Sequence, residues 1–255
     1  MQWLLSASPR LDVLVWIARC VLLLGALLFT AFLFQWWRVH RWFQGFHKAR
    51  HLVSKGRFQE AEEGFRRAAR EASGTRHVMA LAALGVCRLQ QGEYAEAVAL
   101  MEPLMDEPLP RRMRMDGVAL AGYLALSLAM LGETRRARRW LDEAHRRFGG
   151  RVSFVVLPEV VILCREGHLG AALSLMNHSW PVLLADGLVT DKMRMFRAYV
   201  LSKVDPEREV RFILLTLLSL APFPKKELAF CREHWPVLAD FMEQGQELAA
   251  RRDAR

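Results

Sequence analysis

The chain has 255 residues, 53% of them hydrophobic, and a formal charge of +9 with a pI near 9.9. That length holds one ordinary domain and an appendage, and the charge, mostly arginine, points to acidic partners or anionic lipid without being specific for nucleic acid. Cys20, Cys87, Cys164 and Cys231 are isolated, with no CxxC or zinc-ligand spacing, which argues against a disulfide framework or a zinc motif.

Residues 1–12 form a short flank. Residues 13–37 read VLVWIARCVLLLGALLFTAFLFQWW, with Arg19 as the single charge. Twenty-odd apolar residues at about 1.5 Å each cover roughly 30 Å, enough for one transmembrane helix. The run ends in Trp36, Trp37 and Arg38, an interfacial girdle followed by a cation, and lacks a small-residue cleavage site. It reads as a retained anchor, with Arg19 close enough to one end for its stem to reach the headgroups. Arg38, Arg41, Lys48, Arg50, Lys55 and Arg57 follow the span, against Arg10 and Arg19 before or within it. The positive-inside bias therefore places the C-terminal domain in the cytoplasm of a single-pass inner-membrane protein, with a periplasmic domain as the alternative.

Residues 38–180 contain a repeat. Gly56, Phe58, Ala61, Phe65 and Ala68 are matched by Gly92, Tyr94, Ala97, Met101 and Leu104, then by Gly132, Thr134, Ala137, Leu141 and Ala144, and by Gly167, Leu169, Ala172, Met176 and Ser179. The glycines are 36, 40 and 35 residues apart, each after a helical stretch. Glycine ends the first helix of a pair, the small residue lets the second helix sit close, and the large residue four positions on fills the gap to the next pair. No such hairpin buries its apolar face alone, so the units must stack.

This pattern resembles the tetratricopeptide repeat family over roughly residues 42–180, in divergent form: Arg88 stands at a position that is usually Tyr, and Thr134 replaces an aromatic. The resemblance implies an all-α protein, an α-solenoid of four hairpins after the anchor helix, whose concave groove is lined by the first helix of each hairpin. Carried onto this chain, the groove is Met79, Ala82, Val86 and Leu89; Ala119, Gly122, Tyr123 and Leu126; and Phe154, Leu157, Val161 and Arg165. It lacks the Asn and Lys of family members that clamp a C-terminal carboxylate, and suits a helix or hydrophobic peptide.

Residues 181–255 read as an irregular hairpin (Asp186 to Lys203, then Pro206 to Ala221) and a capping helix from Lys225 to Ala250, with Pro236 the place for a bend. A second candidate surface is a basic face of Arg111, Arg112, Arg114, Arg135, Arg136, Arg138, Arg139, Arg146 and Arg147, suited to an acidic protein segment or lipid headgroups. Few aromatics interleave with these arginines, which disfavours nucleic acid. His47 and His51 have helical metal spacing but no third ligand, and no phosphate loop or nucleophile elbow occurs. The expectation is a protein-binding scaffold, with no enzyme activity, metal or cofactor; a structural subunit of a larger membrane complex is the rival, and an enzyme with no recognisable motif the remote third.

Overall fold

The computed structural model describes residues 9–106, 114–148, 154–185 and 189–254, with side chains from Trp16 onward. Every regular element among the described residues is helical: α1 (Pro9–Ser54), α2 (Phe58–Arg70), α3 (Thr75–Gln90), α4 (Tyr94–Met101), α5 (Arg114–Met130), α6 (Thr134–Phe148), α7 (Val156–Arg165), α8 (Leu169–Ala185), α9 (Asp191–Val204), α10 (Val210–Leu220), α11 (Lys225–His234) and α12 (Pro236–Asp253). A 3-10 turn, Glu102–Met105, extends α4.

The four repeat turns are built alike. Gly56, Gly92, Gly132 and Gly167 have φ of 71°, 80°, 84° and 79°. At the first, the Gly56 N–H donates to Val53 O at 2.9 Å and the Arg57 N–H to Leu52 O at 2.9 Å. The same two bonds recur as Gly92 to Leu89 with Glu93 to Arg88, Gly132 to Ala129 with Glu133 to Leu128, and Gly167 to Cys164 with His168 to Leu163. This is the paired closure in which a left-handed residue lets its own N–H and that of the next residue satisfy orphan carbonyls of the ending helix. Each turn thus reverses the chain into a helix pair: α1 with α2, α3 with α4, α5 with α6, α7 with α8.

Packing follows the residue sizes. Ala61, Ala97, Ala137 and Ala172 are fully buried, and Phe65, Met101, Leu141 and Met176, four positions on, are buried with them. From α1 to α10 each helix contacts its chain neighbours, α12 packs on both α10 and α11, and the leading helices also touch in a row, α1 with α3, α3 with α5, α5 with α7 and α7 with α9. One buried cluster joins Trp42, Phe46 and Ala49 of α1 to Phe65, Ala68, Leu84 and Cys87. There Trp42 Nε1–H donates to Ala68 O at 2.8 Å, and the Phe46 and Phe65 rings meet edge-on at 5.5 Å. The larger cluster runs from Leu89 to Met242.

α1 has two characters. From Trp16 to Trp37 its large apolar side chains are exposed, Leu22 by 73% and Phe32 by 63%. Among the described residues it is the one helix long and apolar enough to cross a membrane. From Trp42 onward, burial falls at Trp42, Phe46 and Ala49, the spacing of a single helical face, and that face packs on α2. The expected division at residues 37 and 38 is therefore no break in the helix; no proline interrupts the run to Ser54.

The C-terminal elements differ in detail from expectation. α8 continues through Pro181 to Ala185 instead of stopping there. The expected helix from Asp186 begins at Asp191, where the Thr190 hydroxyl accepts from the Met193 N–H at 3.2 Å; residues 186–188 lie outside the described residues. Pro206 lies in a turn before α10. The expected capping helix is two, α11 and α12, parted at buried Trp235 and restarted by Pro236.

The C-terminal helices do not trail away from the repeats. α11 returns to the second repeat turn: Tyr94 OH donates to Glu227 Oε1 at 2.9 Å, and Lys192 Nζ reaches Tyr94 OH at 2.8 Å and Glu227 Oε1 at 2.5 Å. Phe230 packs edge-on against Tyr94 at 4.6 Å, and Lys226 pairs with Glu93. Burial, together with the facing Glu227 carboxylate, pushes the Tyr94 phenol well above its ordinary range, so it stays a neutral donor in this contact.

Candidate binding site

The row of leading helices encloses a cavity of about 410 Å³. One wall is the last two turns of α1, with Phe46, Arg50, Val53 and Ser54; the others are Phe65 of α2, Val78, Met79, Ala82, Ala83 and Val86 of α3, and Ala119, Leu120 and Tyr123 of α5. The lining is apolar except for Arg50, Ser54 and the Tyr123 phenol. Arg50 is exposed at the rim and has no carboxylate partner among the described residues. Burial pushes the Tyr123 phenol up, against the downward pull of the Arg50 charge, so it too is a neutral hydroxyl. An apolar concavity with a few polar groups is the form a ligand or peptide-side-chain pocket takes.

Of the expected groove residues, Met79, Ala82, Val86, Ala119 and Tyr123 share this cavity. Leu89, Leu126 and Val161 are buried in the larger core. Gly122 lies where α5 meets the chain leading into α7, since a Cβ there would stand 2.4 Å from Phe154 O. Phe154 packs edge-on against Tyr123 at 6.4 Å, and Leu157 lies against the core. Arg165 is a structural pin: its guanidinium lies 4.0 Å from the Trp235 ring centroid, and Nη1 donates to His234 O at 2.7 Å and Nη2 to Met130 O. Its desolvation lowers its pKa from the ordinary arginine value.

Sequence reasoning drew the groove from α3, α5 and α7 and missed the α1 wall. The signal was present: Trp42, Phe46, Ala49 and Val53 recur every three or four residues just past the span, the period of a buried helical face.

The basic face is partly neutralised. Arg136 Nη2 donates to both Glu102 oxygens, at 2.8 Å to Oε1 and 2.7 Å to Oε2, and Arg136 also pairs with Glu133. Arg138 pairs with Glu166 at 2.5 Å, and Arg146 with Glu143. Arg135 and Arg139 are exposed and show no carboxylate partner among the described residues. Arg111 and Arg112 lie outside the described residues, and the side chains of Arg114 and Arg147 do too.

Arg88, the departure from the repeat pattern, has a clear role. Its side chain is 14% exposed and meets Glu62, 9% exposed, as well as Glu93 and, at 3.3 Å, Glu96. Glu93 in turn takes Lys226 of α11. One guanidinium therefore ties α2, α3, the Gly92 turn and, through Glu93, the returning α11.

Among the described residues no three His, Cys, Asp or Glu side chains converge as metal ligands. His47 and His51 are exposed on α1. No protein-family model, no curated protein and no solved structure matches this chain.

Proposed function

We propose that the protein is a membrane-anchored scaffold. In this reading α1 crosses the bilayer through its bare apolar half, and the helix pairs stack as a tetratricopeptide-like solenoid on the cytoplasmic side. The groove between α1, α3 and α5 then holds a partner protein at the membrane surface. One observation carries it: the same helix is exposed and apolar from Trp16 to Trp37 and, within the next seventeen residues, walls an apolar cavity. A surface of that kind needs something to cover it, and its position fixes the partner close to the bilayer.

The test uses the full-length chain in its native membranes. Alkaline carbonate should leave it in the membrane, and protease added to intact spheroplasts should leave the domain uncut. A partner that co-purifies with the wild type should be lost when Ala82→Trp fills the groove. Extraction by carbonate removes the anchor from this reading, and retention of every partner by the filled variant removes the groove.

A second reading, a structural subunit of a larger membrane complex, is favoured by a different surface. Val210, Leu214 and Leu215 of α10 and Val182 and Leu184 of α8 are exposed, Leu184 by 64%. Leu215→Asp should then break a stoichiometric complex that Ala82→Trp leaves intact.

A further inference from the structure

We infer that the occupant of the groove is an amphipathic α-helix of the partner, seated apolar stripe first, with an acidic residue at one end that meets Arg50. This rests on the docking reading above and names the partner's chemistry. Three observations carry it.

The first is what the walls lack. α1, α2, α3 and α5 bond their peptide groups within their own turns, so the cavity offers no strand edge and no row of free amides. An extended segment pressed into it would leave its own N–H and C=O groups unpaired in apolar surroundings, which is costly. A helix brings its hydrogen bonds with it and presents only side chains.

The second is volume. The cavity holds about 410 Å³. That lies within the size range of pockets that take a whole ligand, so there is room for more than one large apolar side chain. A helix delivers several from one stripe, at i, i+3 or i+4, and i+7.

The third is charge. Among the described residues Arg50 has no carboxylate partner; it lies exposed at the rim of a mostly apolar lining, with Ser54 one turn further along α1 and the neutral Tyr123 hydroxyl as a hydrogen-bond donor on the facing wall. A carboxylate beside apolar side chains is the complement of that arrangement. Arg50 follows Trp37 by thirteen residues, which places this charge about 20 Å along the helix from the end of the bare segment. On the scaffold reading above, the bound helix therefore lies about 20 Å from the bilayer.

The probes are short lactam-stapled helical peptides with leucines at i, i+3 and i+7 and a terminal glutamate, the same peptide with lysine for the glutamate, and a proline-bearing version held extended. Palmitate serves as a lipid probe. Binding is measured by fluorescence anisotropy to the full chain in phosphatidylcholine nanodiscs. The glutamate peptide should bind at least about tenfold tighter than the lysine peptide, a difference of about 1.4 kcal/mol. The extended peptide should not bind. Arg50→Glu should reverse the glutamate and lysine order, and Ala82→Trp or Met79→Trp should remove binding while circular dichroism confirms the fold. Equal affinity for both peptides, insensitivity to Arg50→Glu, or palmitate as the one probe displaced by the filled groove would overturn the proposal. If Ala82→Trp releases the native partner while the peptides show no helix or charge preference, the scaffold reading stands and the acidic helix falls. If neither responds, both fall.

Discussion

Gly92 offers the sharpest test of how the C-terminal helices are held. Gly56 and Gly92 both sit at turn positions with φ of 71° and 80°. Alanine there meets the left-handed penalty of about 1–2 kcal/mol, less a gain of about 0.4–1 kcal/mol from a stiffer unfolded chain, and both terms are common to the two sites. The sites differ in what lies beside them. A Cβ at Gly56 meets nothing within 4 Å, whereas at Gly92 it would stand 2.9 Å from Glu227 Cα and 3.1 Å from Glu227 N. Those are backbone atoms, so α11 itself must move, an overpacking cost of about 1–3 kcal/mol. The movement also disturbs the contact of Glu227 with Tyr94 and Lys192. Gly92→Ala should therefore be less stable than Gly56→Ala by about 1–3 kcal/mol. Urea unfolding followed by circular dichroism, on detergent-solubilised full-length protein, reads the difference directly. Hydrogen exchange should place the extra loss of protection in α11. Equal unfolding midpoints for the two variants would mean that α11 does not rest on the second repeat turn.

Arg88→Met leaves Glu62 and Glu93 without their shared cation in a setting only partly open to water, and should cost about 2–4 kcal/mol; Glu62→Gln added to it should recover part of that in a double-mutant cycle on urea midpoints. Burial raises the Glu93 carboxyl, but hydrogen bonds from Lys226 and Arg88 outweigh it and hold the group below the ordinary value of 4.5. Its contribution is therefore complete above about pH 4.5 and is lost as the pH falls through the folded-state value, so wild type should lose stability on acidification more steeply than Glu93→Gln. Burial pushes the Cys87 thiol to about 11 and those of Cys164 and Cys231 to about 12. None of the three should react with iodoacetamide at neutral pH until denaturant is added, and mass spectrometry of the native protein showing rapid alkylation would contradict their burial.

The local architecture was legible because it depends on local chemistry. A glycine at the end of each leading helix, an alanine five residues on and a large residue four beyond that sufficed to place the turns and the buried positions. The continuation of the helix past the apolar run was not legible, for an equally physical reason. Trp36 and Trp37 close the apolar run, but nothing from Trp37 to Ser54 compels the backbone to stop being helical, and Gly45 alone does not break it. The groove was half legible. Helical spacing identified the faces of α3 and α5, but it does not distinguish a residue facing a cavity from one facing the next helix, so Leu89, Leu126 and Val161 were placed on the wrong side. The return of α11 left no local mark. Glu93 and Lys226, and Tyr94 and Glu227, are 133 residues apart; Tyr94 reads alone as a repeat position, and the other three as ordinary helix-surface residues.

The uninterrupted course of α1 has a mechanical consequence. A helix without a joint transmits torsion, and Phe46 and Arg50 ride on the same rod as Trp16 to Trp37. Torque on the bare half therefore loads the seat that Trp42, Phe46 and Ala49 make against α2 and α3, beside that wall of the groove. Whatever grips the exposed segment thus pulls on the same continuous helix that walls the cavity some 20 Å away.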